Sequence, residues 1–125
     1  MKRKRLTKSE RMKVFKKYNG RCAYCGEPIV YNEMQVDHLI PFRKTEGAGA
    51  READQIESMA NYMPSCRSCN HYKRGASLEV FRTLIETIPD KLERDSYIYK
   101  IGCRYQNIKP EKRKIVFYFE RGNEE

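Results

Sequence analysis

The fold is decided by two short stretches, CAYC at residues 22–25 and CRSC at residues 66–69. Two residues between cysteines let both thiolates of one tight turn meet a single ion, and two such turns supply the four sulfurs of tetrahedral Zn²⁺. The sequence therefore predicts a structural zinc with no open position for chemistry. The predicted ligands are Cys22, Cys25, Cys66 and Cys69. A redox pair and buried thiols are the alternatives. Cys103 has no partner in the pattern and is predicted to be a helix residue or a free thiol.

The positive charge of the chain is concentrated at its N-terminus. The 125 residues carry a net charge of +9, and residues 1–21 hold ten lysines or arginines against one acid, Glu10. The other 104 residues hold sixteen charges of each sign. A basic arm of this kind suits a polyanion such as nucleic acid, whereas a solubilising tail or an acidic membrane surface is the alternative. No signal peptide or membrane-spanning run is recognised, so we expect a cytoplasmic protein without a membrane partner.

Hydrophobic periodicity, capping residues and turn residues outline the secondary structure. Helices are predicted over residues 7–18, 77–88 and 91–105, and short strands over 35–40, 61–65 and 115–120. Residues 43–58 are predicted to form a polar loop, in which a short helix could begin near Glu52. The pattern divides the chain into a basic arm and helix (1–20), a core with the cysteine pairs (21–76), and C-terminal helices with a terminal strand (77–125), all within a single compact domain.

Four polar residues near the cysteine pairs have side chains suited to phosphodiester hydrolysis. A neutral imidazole can deprotonate water near pH 7. A hard divalent cation can neutralise the charge that develops on the phosphate, and carboxylate and amide oxygens suit Mg²⁺ or Mn²⁺. The four residues are Asp37, His38, Asn61 and Asn70. These residues also have ordinary structural interpretations. His38 could be a histidine whose hydrogen bonds are satisfied beneath a hairpin, and Asp37 could cap a helix or pair with an arginine. Asn61 could simply stabilise a turn.

The order of these motifs resembles the HNH endonuclease family in its zinc-containing branch. The residues that carry the resemblance are the two cysteine pairs, the run VDHLIP (residues 36–41), Asn61, and Asn70 followed by Lys73. The resemblance implies an α+β fold: a small ββα-metal core braced by a four-cysteine zinc site, with flanking helices and a C-terminal β-strand. It covers about residues 20–75.

The resemblance also implies a role for each site residue. His38 corresponds to the general base and Asn61 to the residue that orients it. Asp37 and Asn70 correspond to the ligands of one catalytic divalent ion, which could be Mg²⁺, Mn²⁺ or Ni²⁺. His71 replaces Asn70 as ligand if the helix register differs by one residue.

Basic residues around the site and in the arm are the candidate contacts with nucleic acid. They are Lys2, Arg3, Lys4, Arg5, Arg43, Arg67, Lys73 and Arg74. Lys73 corresponds to a common basic position of the family, and a solvated basic face is the alternative for the others.

The function implied is a metal-dependent endonuclease that hydrolyses DNA, most simply double-stranded DNA, by nicking or by double-strand cutting. The first alternative is a zinc-containing module that binds nucleic acid without cutting it. A protein-interaction domain and a redox protein are further alternatives. Oligomeric state, monomer or dimer, and target sequence stay open.

Overall fold

A computed structural model of the protein describes residues 5–41 and 49–122. Within these residues it contains six α-helices and a two-stranded antiparallel sheet, which confirms the predicted α+β class. In chain order the elements are α1 (Lys8–Lys16), β1 (Gln35–His38), α2 (Ala50–Ile56), β2 (Tyr62–Ser65), α3 (Arg67–Lys73), α4 (Leu78–Glu86), α5 (Ile88–Asp95) and α6 (Tyr97–Arg104).

The chain divides into two compact units, one of Met1–Leu78 with Val116–Glu125 and one of Glu79–Ile115. The candidate site lies in the first unit. In the second unit, Arg82 donates to Ile115 O at 2.7 Å and the Ile115 amide donates to Glu86 Oε2 at 2.9 Å, which ties the end of this unit to α4. The three-segment division expected from the sequence stays a prediction.

Helix α1 begins where the sequence predicts because Thr7 and Glu10 form a reciprocal cap. The Glu10 amide donates to Thr7 Oγ1 at 3.1 Å, and the Thr7 amide donates to Glu10 Oε1 at 2.9 Å. After the helix, the chain turns through Asn19 and Gly20 with φ of 57° and 76°. Asparagine and glycine tolerate this left-handed conformation better than other residues. The turn leads directly into the first cysteine pair.

Strands β1 and β2 form the sheet on which the site is built. Asp37 pairs with Met63 and His38 with Tyr62 in the antiparallel register. Helix α3 packs against β1 and helix α1 against β2. Val14 of α1 and Tyr62 of β2 belong to one buried core cluster. The sheet therefore lies between a helix that supports it and a helix that contributes site residues.

The C-terminal strand predicted over residues 115–120 is wrong. The chain instead reaches a 3₁₀ turn at Tyr118–Arg121, and the first amide of this turn donates to Tyr24 O at 2.9 Å. Tyr24 lies in the tight turn of the first cysteine pair, so its backbone cannot extend a strand ladder. The alternating aromatic residues reflect packing: the rings of Phe117 and Phe119 meet the Tyr24 ring edge-on, with centroids 5.5 and 6.1 Å away.

The helix predicted over residues 91–105 is two helices. Ser96 separates α5 from α6, and its side chain accepts a hydrogen bond from the Tyr99 amide at 3.2 Å, which caps α6. Helix α5 already begins at Ile88, because Pro89 is tolerated in a first turn, where its missing N–H has no helical partner. Across the two described ranges, no helix combines the length and the apolar character needed to cross a bilayer.

Candidate active site beside a four-cysteine cluster

Four cysteine sulfurs meet at one point in the first unit. The Sγ atoms of Cys22, Cys25, Cys66 and Cys69 all lie within 4.8 Å of one another. Those of Cys25 and Cys66 are 3.9 Å apart. In a tetrahedral site with Zn–S bonds of about 2.3 Å, the sulfurs stand about 3.8 Å apart. The prediction that these cysteines come together in one cluster is confirmed, and the donor set is compatible with Zn²⁺.

The crowding of the sulfurs changes their ionisation. A hydrogen bond from Cys69 lowers the pKa of Cys22 to about 4. That same hydrogen bond, with Cys69 as donor, raises the pKa of Cys69. Burial raises the pKa of Cys25 to about 11. The Cys22 thiolate therefore forms readily, while Cys25 and Cys69 resist ionisation beside it. A divalent cation supplies the positive charge that allows all four to ionise.

The two cysteine turns are brought together at one end of β2. The Ala23 amide in the first turn donates to Pro64 O at 2.8 Å, which ties that turn to the strand. Cys66 follows the strand directly and caps α3, its Sγ accepting from the Cys69 amide at 3.4 Å. Residues 64 and 66 are almost adjacent in the chain, so the forty residues between the cysteine pairs close into a loop at this point.

Asp37 is buried on β1, and two donors hold one of its carboxylate oxygens. The Tyr24 hydroxyl donates to Oδ2 at 2.5 Å, and Lys73 Nζ lies 3.0 Å from the same atom. The side chain of Asp37 is 8% exposed and that of Lys73 is fully buried. Burial, together with the negative charge of Asp37, raises the pKa of Tyr24, so its hydroxyl stays protonated and acts as the donor. Within the described part of the chain, Oδ1 accepts no hydrogen bond from another side chain.

Helix α3 presents two different faces. Lys73 points inward to Asp37. Asn70 lies three residues earlier on the same side of the helix, because residues three apart are neighbours on a helix surface. Arg67, His71 and Arg74 are exposed. The register therefore places Asn70 next to the face that meets Asp37, and His71 on the exposed face. Lys73, predicted to contact phosphate, is in the interior and paired with Asp37.

His38 contacts a different set of neighbours from Asp37. Its Nε2 forms a hydrogen bond with Glu57 Oε1, just after α2. Its ring meets the Tyr62 ring edge-on, with centroids 5.3 Å apart. Consecutive side chains on a strand point to opposite faces, which explains the separate surroundings of the two residues. Lys73 links them, because its Nζ also donates to His38 O at 3.3 Å.

Asn61 holds the backbone that follows β1. Its Oδ1 accepts from the Ile40 amide at 2.7 Å, while its Nδ2 donates to Ile40 O at 3.1 Å and to Ile56 O at 2.8 Å. The amide thus joins the chain after His38 to the end of α2. The sequence predicts that Asn61 orients His38, and this role stays a prediction. The bonds of Asn61 to the Ile40 backbone, two residues after His38, are consistent with it.

Two residues at the site were not anticipated from the sequence. Tyr24 lies inside the CAYC stretch, and a hydroxyl-bearing residue between zinc ligands is a signal that could have been noticed. Glu57 lies in a segment interpreted as a polar loop. One acid among several there carries no local signal for a contact with His38.

The predicted nucleic-acid contacts are only partly covered by the structure. Lys2, Arg3, Lys4 and Arg43 lie outside the described residues. Arg5, Arg67 and Arg74 are exposed.

Two other N-terminal cations bind backbone carbonyls. Arg11 donates to Met34 O at 2.8 Å, and Lys17 donates to Tyr62 O at 2.8 Å. Part of the N-terminal charge therefore serves the fold.

Comparison with known proteins shows which family the site region resembles. Residues 22–74 match the family model of HNH endonuclease. The chain is also similar to the CRISPR-associated endonuclease Cas9 of Corynebacterium diphtheriae, with 27% identity over 108 residues. That match covers 82% of this chain and 9% of the relative, so the chain spans less than a tenth of the relative's length. No solved structure matches the chain.

Proposed function

We propose that the protein is a metal-dependent endonuclease that hydrolyses phosphodiester bonds in DNA. His38 acts as the general base, and Asp37 and Asn70 hold one catalytic divalent ion. The observation that carries the proposal is the arrangement around β1 within the family-matched region. A buried carboxylate is fixed through one oxygen by Tyr24 and Lys73. The next residue along the strand is a histidine held by a carboxylate.

The donor set suits a hard cation. Asp37 offers a carboxylate oxygen and Asn70 an amide oxygen, which Mg²⁺ and Mn²⁺ prefer over sulfur or nitrogen donors. Such an ion, once bound, would neutralise charge on the scissile phosphate and on the leaving oxygen. The inward register of Asn70 and the exposure of His71 favour Asn70 as the second ligand. The sulfur cluster is a separate site, and its four thiolates would fill every position of a tetrahedral ion.

The side chains of the protein carry the proton transfer. His38 accepts a proton from the attacking water while the water oxygen bonds to phosphorus and the bond to the 3′ oxygen breaks. This cleavage leaves a 5′-phosphate and, after protonation of the leaving oxygen by solvent, a 3′-hydroxyl. Glu57 contacts the imidazole, so it orients the ring and stabilises the positive charge that the ring acquires. Asn61 keeps the chain after His38 in place.

The basic side chains are the proposed contacts with the DNA backbone. Arg67 on α3 and Arg74 directly after it are exposed next to the candidate site, and Arg5 is exposed near the N-terminus. With the remaining residues of the arm they would contact backbone phosphates, so affinity should fall steeply with salt.

The test compares the two histidines of the chain. His38→Ala should abolish relaxation of a supercoiled plasmid in Mg²⁺, Mn²⁺ or Ni²⁺, while zinc content, fold and DNA binding persist. His71→Ala is the matched control, because it removes the same ring from an exposed position. We expect it to cut at close to the wild-type rate. Wild-type protein that binds DNA but cuts in none of these ions would instead support the non-catalytic binding module. Cleavage by His38→Ala at the wild-type rate would remove His38 from the mechanism.

A further inference from the structure

Tyr24 connects the zinc cluster to the candidate catalytic metal ligand. It lies between two of the cysteines, and its hydroxyl donates to Asp37 Oδ2 at 2.5 Å. The residue is 3% exposed. No other described residue joins the cysteine turns to Asp37 by a hydrogen bond. A residue of the first cysteine turn therefore contacts the carboxylate that is the proposed ligand of the catalytic ion.

The backbone and ring of Tyr24 are held in place. Tyr24 O accepts from the Tyr118 amide at 2.9 Å, and the preceding residue, Ala23, bonds to both the Phe119 amide and Pro64 O at 2.8 Å. The aromatic ring is enclosed edge-on by two phenylalanines, with centroids 5.5 and 6.1 Å away. The position of the hydroxyl is therefore fixed by the cysteine turn and by the C-terminal segment.

The two carboxylate oxygens of Asp37 have different surroundings. Tyr24 and Lys73 both approach Oδ2, from the cysteine turn and from α3 respectively. Two donors converging on one oxygen restrict rotation of the carboxylate plane. They also leave Oδ1 as the oxygen suited to bind a cation. Ligating carboxylates are commonly held in this way by outer hydrogen bonds, which set metal affinity.

We propose that Tyr24 is a positioning residue: through Oδ2 it orients Asp37 so that Oδ1 coordinates the catalytic divalent ion through a single oxygen. The proposal rests on the proposed function, because it requires Asp37 to be a ligand. It adds that the zinc turn sets the affinity for the second ion. The zinc cluster then does more than hold two segments together.

The test removes one oxygen atom. Tyr24→Phe keeps the ring and its contacts with Phe117 and Phe119, so zinc content and fold should persist. Binding of Mn²⁺ to zinc-loaded protein is measured from the electron paramagnetic resonance signal of the free ion. The variant should bind Mn²⁺ about 10–100-fold more weakly than the wild type. In plasmid cleavage, the Mn²⁺ concentration for half-maximal rate should rise by a similar factor, while the rate at saturating Mn²⁺ stays within a few-fold of wild type. Tyr97→Phe, the same change at a tyrosine that is 75% exposed, is the matched control and should alter neither.

The outcomes separate this inference from the proposed function. Unchanged Mn²⁺ affinity in Tyr24→Phe, with wild-type protein that binds Mn²⁺ and cuts, overturns the positioning role alone. Loss of zinc or of the fold in Tyr24→Phe also overturns it, because the hydroxyl would then support the cysteine turn itself. Wild-type protein that neither binds Mn²⁺ nor cuts overturns the proposed function, and with it the inference.

Discussion

Burial determines what Lys73 can do. Its side chain is fully buried, and its Nζ lies 3.0 Å from Asp37 Oδ2 and 3.3 Å from His38 O. An ammonium group taken out of water needs a paired negative charge, which Asp37 supplies. A direct phosphate contact would require the same ammonium at the surface. We therefore expect Lys73 to hold Asp37 and the end of β1. The sequence shows the lysine, but its partner is a consequence of packing.

The variant Asn61→Ala tests whether the side-chain amide of Asn61 stabilises the backbone around the candidate site. The change removes three hydrogen bonds to Ile40 and Ile56. Because it removes a buried bond to Ile56 O and two partly buried bonds to Ile40, we expect the free energy of unfolding to fall by about 1–3 kcal/mol in urea titrations of zinc-loaded protein. Plasmid cleavage should slow, because the chain after His38 loosens. Asn32→Ala, at an exposed position, is the control and should change stability by less than about 0.5 kcal/mol. Wild-type stability and rate in Asn61→Ala would remove Asn61 from the site.

Among the elements, helix α1 supports the site from the other side of the sheet. Beyond its last turn, Lys17 donates to Met59 O, Ala60 O and Tyr62 O at 3.1, 3.2 and 2.8 Å. These carbonyls flank Asn61 at the entry to β2. Burial lowers the pKa of Lys17. The helix thus braces the segment that places Asn61.

The stability of α1 can be tested at its cap. Thr7→Ala removes the hydroxyl that accepts from the Glu10 amide, so we expect a loss of about 1 kcal/mol in the free energy of unfolding, read from the urea midpoint. Thr83→Ala is the matched control. The Thr83 hydroxyl only donates back to Glu79 O within a helix, an interaction that contributes little, so its midpoint should barely move. Equal shifts for both variants would mean that the cap does not stabilise α1.

For the whole molecule, we expect the four-cysteine cluster to decide whether the first unit folds. It joins two turns that are forty residues apart in the chain. A structural zinc contributes on the order of 10 kcal/mol to folding, and a small domain has only about 5–15 kcal/mol of stability in total. We therefore expect loss of the metal to remove most of the stability of this unit.

Cys66→Ser should release zinc and unfold the first unit. The measurements are zinc content by atomic absorption and helical content by circular dichroism. Cys103→Ser is the matched control, because Cys103 lies in α6, outside the cluster, and should keep both zinc and helix. A Cys66→Ser protein that melts like the wild type without metal would show that the cluster is not structural.

Much of this architecture could be predicted because its signals are local. The spacing within each CxxC turn, the Thr7 and Glu10 cap, and the alternating residues of β1 involve residues that are close in the chain. Local spacing limits local geometry, so the cluster, α1 and both strands were predicted correctly. The strand at residues 115–120 was wrong because its alternating aromatics pack on Tyr24, a partner about ninety residues away that no local pattern specifies.

The sequence by itself determined the four-cysteine cluster, the α+β class and the candidate residues Asp37, His38, Asn61 and Asn70. Only the tertiary structure decided which atoms they meet: Tyr24 and Lys73 on Asp37, Glu57 on His38, and the backbone of Ile40 and Ile56 on Asn61. The physical reason is that ion pairs and hydrogen bonds between distant segments depend on burial and orientation. These arise only when the sheet, α3 and the cysteine turns pack together.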